Sequence, residues 1–198
     1  EGESILSGYD SSKDVQAAMT LIQELGAKIR IEKDTLIIIG IASIARREKI
    51  SLHVGESGLL LRMIAPLASV LSFDSMITGQ GTLLKREMLS LKNNLVKNGL
   101  TIILENNTLP ISIQGDLSKN NWQIDARDGS QLLTGLLMSL PLIGKSHKIE
   151  VANLVSFPYI DLTLDLMEKF GGIQLKCQPV KSPLVDLFLC HSQLELSG

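Results

Sequence analysis

Met88-Leu89-Ser90-Leu91-Lys92-Asn93-Asn94-Leu95-Val96-Lys97-Asn98-Gly99-Leu100-Thr101-Ile102-Ile103-Leu104 joins an amphipathic run to a β-prone one through a glycine. Met88 and Leu95 stand two helical turns apart, so both fall on one face. Gly99 suits the position just past a helix, where left-handed backbone favours glycine. Thr101 to Leu104 reads as a strand. The arrangement occurs twice more. Gly26 follows Val15 and Ile22 at the same offsets and precedes Ile29-Arg30-Ile31. Gly171 follows Ile160 and Met167 and precedes Ile173-Gln174-Leu175. A period of about seventy residues marks duplicated supersecondary units.

A second helix type shares the period. Gly55-Glu56-Ser57-Gly58 opens the apolar run 59–71, and Asp128-Gly129-Ser130-Gln131 opens the run 132–142. Both runs are apolar nearly all round, which predicts buried helices. Pro66 and Pro141 are expected to kink or end them. Strand pairs are expected between the helices, 36–40 with 50–54 and 109–114 with 122–125. The fold class that follows is α/β (α+β), a single domain over 1–198 with units near 4–74, 75–147 and 148–198. The third unit has a helix over 158–170 but no second, buried helix. The period places that helix near residue 203, and no helix cap precedes Ser4, so the chain is expected to be a piece of a larger protein.

Composition narrows the function. Among 198 residues, 19 are basic and 21 acidic, a net charge of −2, and 4% are aromatic. A nucleic-acid binder usually shows a basic excess, and base stacking needs aromatic side chains. Neither is present. An anionic small substrate stays compatible, because a few cations and helix ends suffice. Cys177 and Cys190 lack zinc-ligand spacing, and His53, His147 and His191 are scattered. The run 59–71 is too short to span a bilayer and contains Arg62. A protein of the cytoplasm is expected.

Candidate site residues gather at helix starts. Two glycines before a buried helix, Gly55 and Gly58, suit a phosphate held by backbone N–H groups, although a tight turn explains them more simply. Glu56 favours the anion reading only if its side chain points away. Ser130 is expected to cap its helix, and Ser156 the helix opened by Phe157-Pro158-Tyr159. Tyr159 offers a phenol at that end, against the commoner half-buried core tyrosine. Lys85-Arg86 reads as the start of a helix, where cations oppose the dipole; such a placement suits either a binding site or a solvated pair. No Ser-His-Asp arrangement or Walker loop occurs.

The chain resembles the 5-enolpyruvylshikimate-3-phosphate (EPSP) synthase family in five collinear strings. These are Asp10-Ser11-Ser12-Lys13-Asp14-Val15, Gly55-Glu56-Ser57-Gly58 with Arg62, and Thr78-Gly79 through Arg86 and Met88. The fourth runs from Gly129-Ser130-Gln131 to Met138, the fifth from Ser156-Phe157-Pro158-Tyr159-Ile160-Asp161 to Met167. The resemblance implies one of two similar domains of the enolpyruvyl transferase fold, each of three βαβαββ units around buried helices. It implies transfer of enolpyruvyl from phosphoenolpyruvate to shikimate 3-phosphate, in aromatic amino-acid biosynthesis, with no metal and no cofactor. By the same resemblance Gly129, Ser130, Gln131, Ser156 and Tyr159 would bind shikimate 3-phosphate. Gly58, Arg86 and Gln131 would bind phosphoenolpyruvate. The acid–base residues would lie outside this stretch, so no catalytic residue is expected within it, and the second domain of the same chain is the expected partner, with no nucleic acid and no membrane.

Five positions depart from the family's usual residues: Glu56 for asparagine, Leu84 for arginine, Glu87 for proline, Gly129 for serine and Phe157 for lysine. Two other functions compete. One is the sister transferase acting on UDP-N-acetylglucosamine, which the Gly-Ser-Gln and Ser-x-Pro-Tyr-Ile-Asp strings disfavour. The other is a non-catalytic clamp-like subunit of repeated αβ units, which would need a basic lining for duplex.

Overall fold

The structure, a computed structural model, describes residues 2–41, 46–171, 174–179 and 184–190. The chain opens with β1 (Glu3–Ser7), α1 (Lys13–Glu24), β2 (Lys28–Glu32) and β3 (Thr35–Ile39). It continues through β4 (Arg47–His53), α2 (Gly58–Leu71), β5 (Ser72–Thr78), a 3-10 helix (Gly81–Lys85), α3 (Leu89–Lys97), β6 (Thr101–Glu105) and β7 (Thr108–Gln114). The last part holds β8 (Asn121–Asp125), α4 (Gln131–Ser139), a 3-10 turn (Leu140–Ile143), β9 (His147–Ala152), α5 (Phe157–Gly171), β10 (Gln174–Pro179) and β11 (Leu184–Cys190).

Three sheets result. The first has order β1-β3-β2 and is antiparallel. The second has order β4-β5-β7-β6, with β4 parallel to β5 and the other pairs antiparallel. The third, β8-β9-β11-β10, repeats that pattern. A parallel pair needs a crossover, and α2 and α4 supply the two crossovers. Strands lie where the sequence places them, but the expected pairs do not form. β3 and β4 belong to different sheets, as do β7 and β8. The parallel register joins β4 to the strand beyond α2, and β8 to the strand beyond α4.

The α2 and α4 helices form the centre. Leu61, Ile64, Ala65 and Ala68 of α2 are buried, as are Leu132, Leu133, Leu136 and Leu137 of α4. Gly135 sets their separation, because a Cβ there would meet the Met63 backbone at 2.9 Å and less. Pro66 stays inside α2, while α4 gives way at Leu140-Pro141 to the 3-10 turn. Burial is not all round, as the sequence suggested: Leu59 is 46% exposed and Met138 38%. Those faces turn to a groove beside α5.

The helices α1 and α3 end as their glycines predict, whereas Gly171 is the last residue of α5 itself. Gly26 (φ +117°) and Gly99 (φ +98°) are left-handed, and the next amides reach back, Ala27 N to Ile22 O at 2.9 Å and Leu100 N to Leu95 O at 3.2 Å. This is the Schellman arrangement. Met88, Leu95, Ile160 and Met167 are buried as their spacing requires. In α1 the equivalent Val15 and Ile22 are only half-buried, and Leu21 is the fully covered residue.

Candidate functional site

The loop after β4 turns at Gly55 (φ +60°) and enters α2 through Ser57, whose Oγ accepts the Leu60 amide at 3.1 Å. Gly58 is the first helical residue. One turn on, Arg62 folds back and donates from Nη1 to the Gly58 carbonyl at 2.9 Å. Arg86 arrives from the 3-10 helix. A Cβ on Gly58 would lie 3.1 Å from Nη1 of each arginine. Two guanidinium groups thus converge where α2 also presents its unpaired N–H groups and positive dipole end. Charge-assisted, forked hydrogen bonds of this kind suit a phosphate or carboxylate.

Lys85 and Arg86 do not start a helix. They close the 3-10 helix Gly81–Lys85, and α3 begins only at Leu89. At a C-terminal end cations are favourable, so the expected opposition to the dipole is absent. Glu56 points away from the cradle: its Oε1 accepts the Thr82 amide at 2.8 Å. That hydrogen bond first, with smaller help from Lys13 and Arg86, holds the carboxyl below its ordinary range.

A second cluster lies along the groove between α2, α4 and α5, a cavity of about 880 Å³. Ser130, Gln131, Ser156 and Tyr159 all line it, with Leu59 and Met63 on the far wall. Neither serine is the expected cap. Ser130 (φ −85°, ψ −7°) makes no side-chain bond to its helix. Ser156 is left-handed (φ +61°), and the Tyr159 amide bonds its backbone oxygen instead. Both hydroxyls are thereby left for something else. Tyr159 is 65% exposed, so the core-tyrosine alternative fails.

Gly129 (φ +122°) adopts a backbone that serine rarely takes, and a Cβ there would stand 2.5 Å from Gln131 Oε1. The glycine at this position therefore goes with a Gln131 side chain folded over it. Gln131 also lines a narrow cleft that Arg62 and Gly129 share with two carboxylates, Asp125 and Asp128; Gly58 and Arg86 do not line that cleft. Gly58 and Arg86 sit at the cradle and not along the larger groove. Arg62 was quoted in a motif but not placed in the site; its spacing of one turn from Gly58 was the available signal. Among the described residues no helix is long and apolar enough to cross a membrane.

Comparison with known proteins gives the arrangement a family. The family described as EPSP synthase (3-phosphoshikimate 1-carboxyvinyltransferase) matches residues 1–181. The 3-phosphoshikimate 1-carboxyvinyltransferase of Clostridium perfringens (strain SM101 / Type A) is 34% identical over 172 residues, 86% of this chain and 41% of its own length. The namesake of Pectobacterium atrosepticum is 30% identical over 177 residues, 86% of this chain and 41% of that protein. The chain thus spans about two fifths of these curated relatives. In fold it is similar to the EPSP synthase of Acinetobacter baumannii, with a TM-score of 0.62 at 17% identity, over 96% of this chain and 59% of that one. With its cradle and groove carried by the matched residues, the chain belongs to the EPSP synthase family.

Proposed function

We propose that the protein containing this chain transfers enolpyruvyl from phosphoenolpyruvate to shikimate 3-phosphate, and that residues 1–198 form one domain bearing about half of the site. The observation that carries this reading is the convergence of Arg62 and Arg86 on Gly58, one residue before Leu59, which lines the groove of Ser130, Gln131, Ser156 and Tyr159. An anion at the arginines and a hydroxylated partner along the groove would be the two reactants that a bimolecular transfer must bring together.

In this reading Arg86 and the α2 entry at Gly58 hold phosphoenolpyruvate, with Arg62 beside them. Ser130, Gln131, Ser156 and Tyr159 hold shikimate 3-phosphate, with Gly129 giving Gln131 its place. The 5-hydroxyl oxygen adds to C2 of phosphoenolpyruvate while a proton is added at C3; loss of a proton from C3 and cleavage of the C2–O bond to phosphate then restore the double bond and release phosphate. The hydroxyl proton would leave to a base on the other domain, since the polar side chains among the described lining of the groove are hydroxyls and one amide, set among apolar ones such as Leu59 and Leu162. Closure of the two domains would exclude water and align the reactants. We propose the cytoplasm as its compartment; the repeat units expected near 4–74, 75–147 and 148–198 cut through β5 and part β8 from β9, so the sheets β1–β3, β4–β7 and β8–β11 are the better division of the domain. Among the described residues β1 has no second neighbour where β5 and β9 have parallel partners, so a further strand with a crossover helix would complete the first sheet in the pattern of the other two.

The test is phosphate release by the full-length protein. Release that needs both phosphoenolpyruvate and shikimate 3-phosphate is expected. Release with UDP-N-acetylglucosamine in place of shikimate 3-phosphate, or with neither acceptor, overturns the reading.

A further inference from the structure

Glu56 is an acid two residues from Gly58, where an anion is to bind, so its placement needs a reason. Its Oε1 accepts the amide of Thr82, 26 residues away, at 2.8 Å. Gly81 makes room for the carboxylate: at φ +61°, any Cβ would stand 2.5 Å from the Glu56 carboxyl carbon. A second bond runs beside it, from the Gln80 amide to Gly55 O at 2.8 Å. Leu83 anchors the middle of the 3-10 helix in the core, and the Arg86 amide closes its end on Leu83 O at 3.2 Å. The first turn of the 3-10 helix is thus tied to the α2 entry, and its last carries the cation that covers Gly58.

We propose that Glu56 is a positioning residue: by holding the Thr82 amide it fixes the Gly81–Lys85 helix against the entry of α2 and so aims the Arg86 guanidinium at Gly58. What matters is the acceptor oxygen rather than the charge. Glutamine keeps that oxygen; alanine does not. Without it, the start of the turn is held by the Gln80 amide and its middle by Leu83, with the next tie only at the Met88 amide on Asn107 O, and an anion must order Arg86 on binding. The inference rests on the transfer reading for its kinetic consequence but not for its structural one.

The experiment compares Glu56→Ala and Glu56→Gln in the full-length protein by steady-state kinetics and by hydrogen exchange over residues 79–88. A neutral hydrogen bond of this kind corresponds to a few-fold to about tenfold. Glu56→Ala should lower kcat/KM for phosphoenolpyruvate by about that factor and leave KM for shikimate 3-phosphate unchanged. Glu56→Gln should recover most of the loss. Exchange near Thr82 should quicken in Glu56→Ala and not in Glu56→Gln. Unchanged exchange in Glu56→Ala, equal losses for the two substrates, or a glutamine variant as poor as the alanine one overturns the proposal. If the wild type shows no turnover with these substrates, the transfer reading fails, and the exchange comparison still decides the role of Glu56.

Discussion

The side chain of Asn94 bonds Asp125 in both directions, Oδ1 accepting its amide at 2.8 Å and Nδ2 donating to its carbonyl at 3.2 Å. One turn later Asn98 does the same for Gln123, at 3.0 and 2.9 Å. The outer edge of β8 is therefore satisfied by Asn94 of α3 and Asn98 at its C-terminal cap, in the way a neighbouring strand would satisfy it. Each replacement by alanine leaves two backbone groups without partners, at about 1–3 kcal/mol. Urea unfolding should show losses of that size for Asn94→Ala and Asn98→Ala. Midpoints equal to the wild type would show that water replaces the side chains at no cost.

Gly135 is packed against the Met63 backbone, which has no flexible end to move aside. Gly135→Ala should force α2 and α4 apart and cost about 1–3 kcal/mol, although alanine normally favours a helix over glycine. A rise in melting temperature, the outcome of propensity alone, would show that the contact yields.

The two halves of the site should respond separately. Under the proposed transfer, Arg86→Ala removes one charged partner at the cradle, about 1.5–3 kcal/mol, so kcat/KM for phosphoenolpyruvate should fall at least about tenfold in the full-length protein. Ser156→Ala and Gln131→Ala should weaken shikimate 3-phosphate instead. Because Ser156 does not cap α5, its loss should leave the melting temperature in place. A lowered melting temperature with unchanged affinity would return Ser156 to a structural role.

Asp125 is held at about 2, first by Arg127 (Nε at 2.9 Å) and then by Asn153 (Nδ2 at 3.1 Å). A carboxyl whose folded value lies below its unfolded one stabilises the fold above the unfolded value of 3.8, and that contribution is lost as pH falls towards 2. The difference in stability between wild type and Asp125→Asn should therefore be constant above about pH 5 and shrink below pH 4. A difference independent of pH would assign the effect to neutral hydrogen bonds. The pair is exposed, so the effect should be small and weaken with salt.

The helices were legible because each announces itself locally, by apolar spacing and a terminal glycine. Strand partners were not. Nothing in 36–40 or 50–54 says that the first pairs backwards within its own sheet and the second crosses a helix to find β5. The end of the 3-10 helix at Arg86 was misread as a helix start because its geometry depends on Glu56, 26 residues away from Thr82. Ser130 and Ser156 have the composition of caps, but their backbone angles withhold the hydroxyls from that role. Arg62 escaped notice because only the helix's turn carries its guanidinium back over Gly58.

Each of the three sheets is built from consecutive strands, while α2 and α4 pack on each other between them and α3 reaches from the second sheet to β8 of the third. During synthesis the chain can therefore finish one sheet before the next emerges from the ribosome. The exception is α2, complete at Leu71 while α4 starts only at Gln131. For that interval an apolar helix lacks its main neighbour, and the nascent chain is most exposed to aggregation and to capture by chaperones. Slow translation between those two points would lengthen the hazard; slow translation after Ser139 would not.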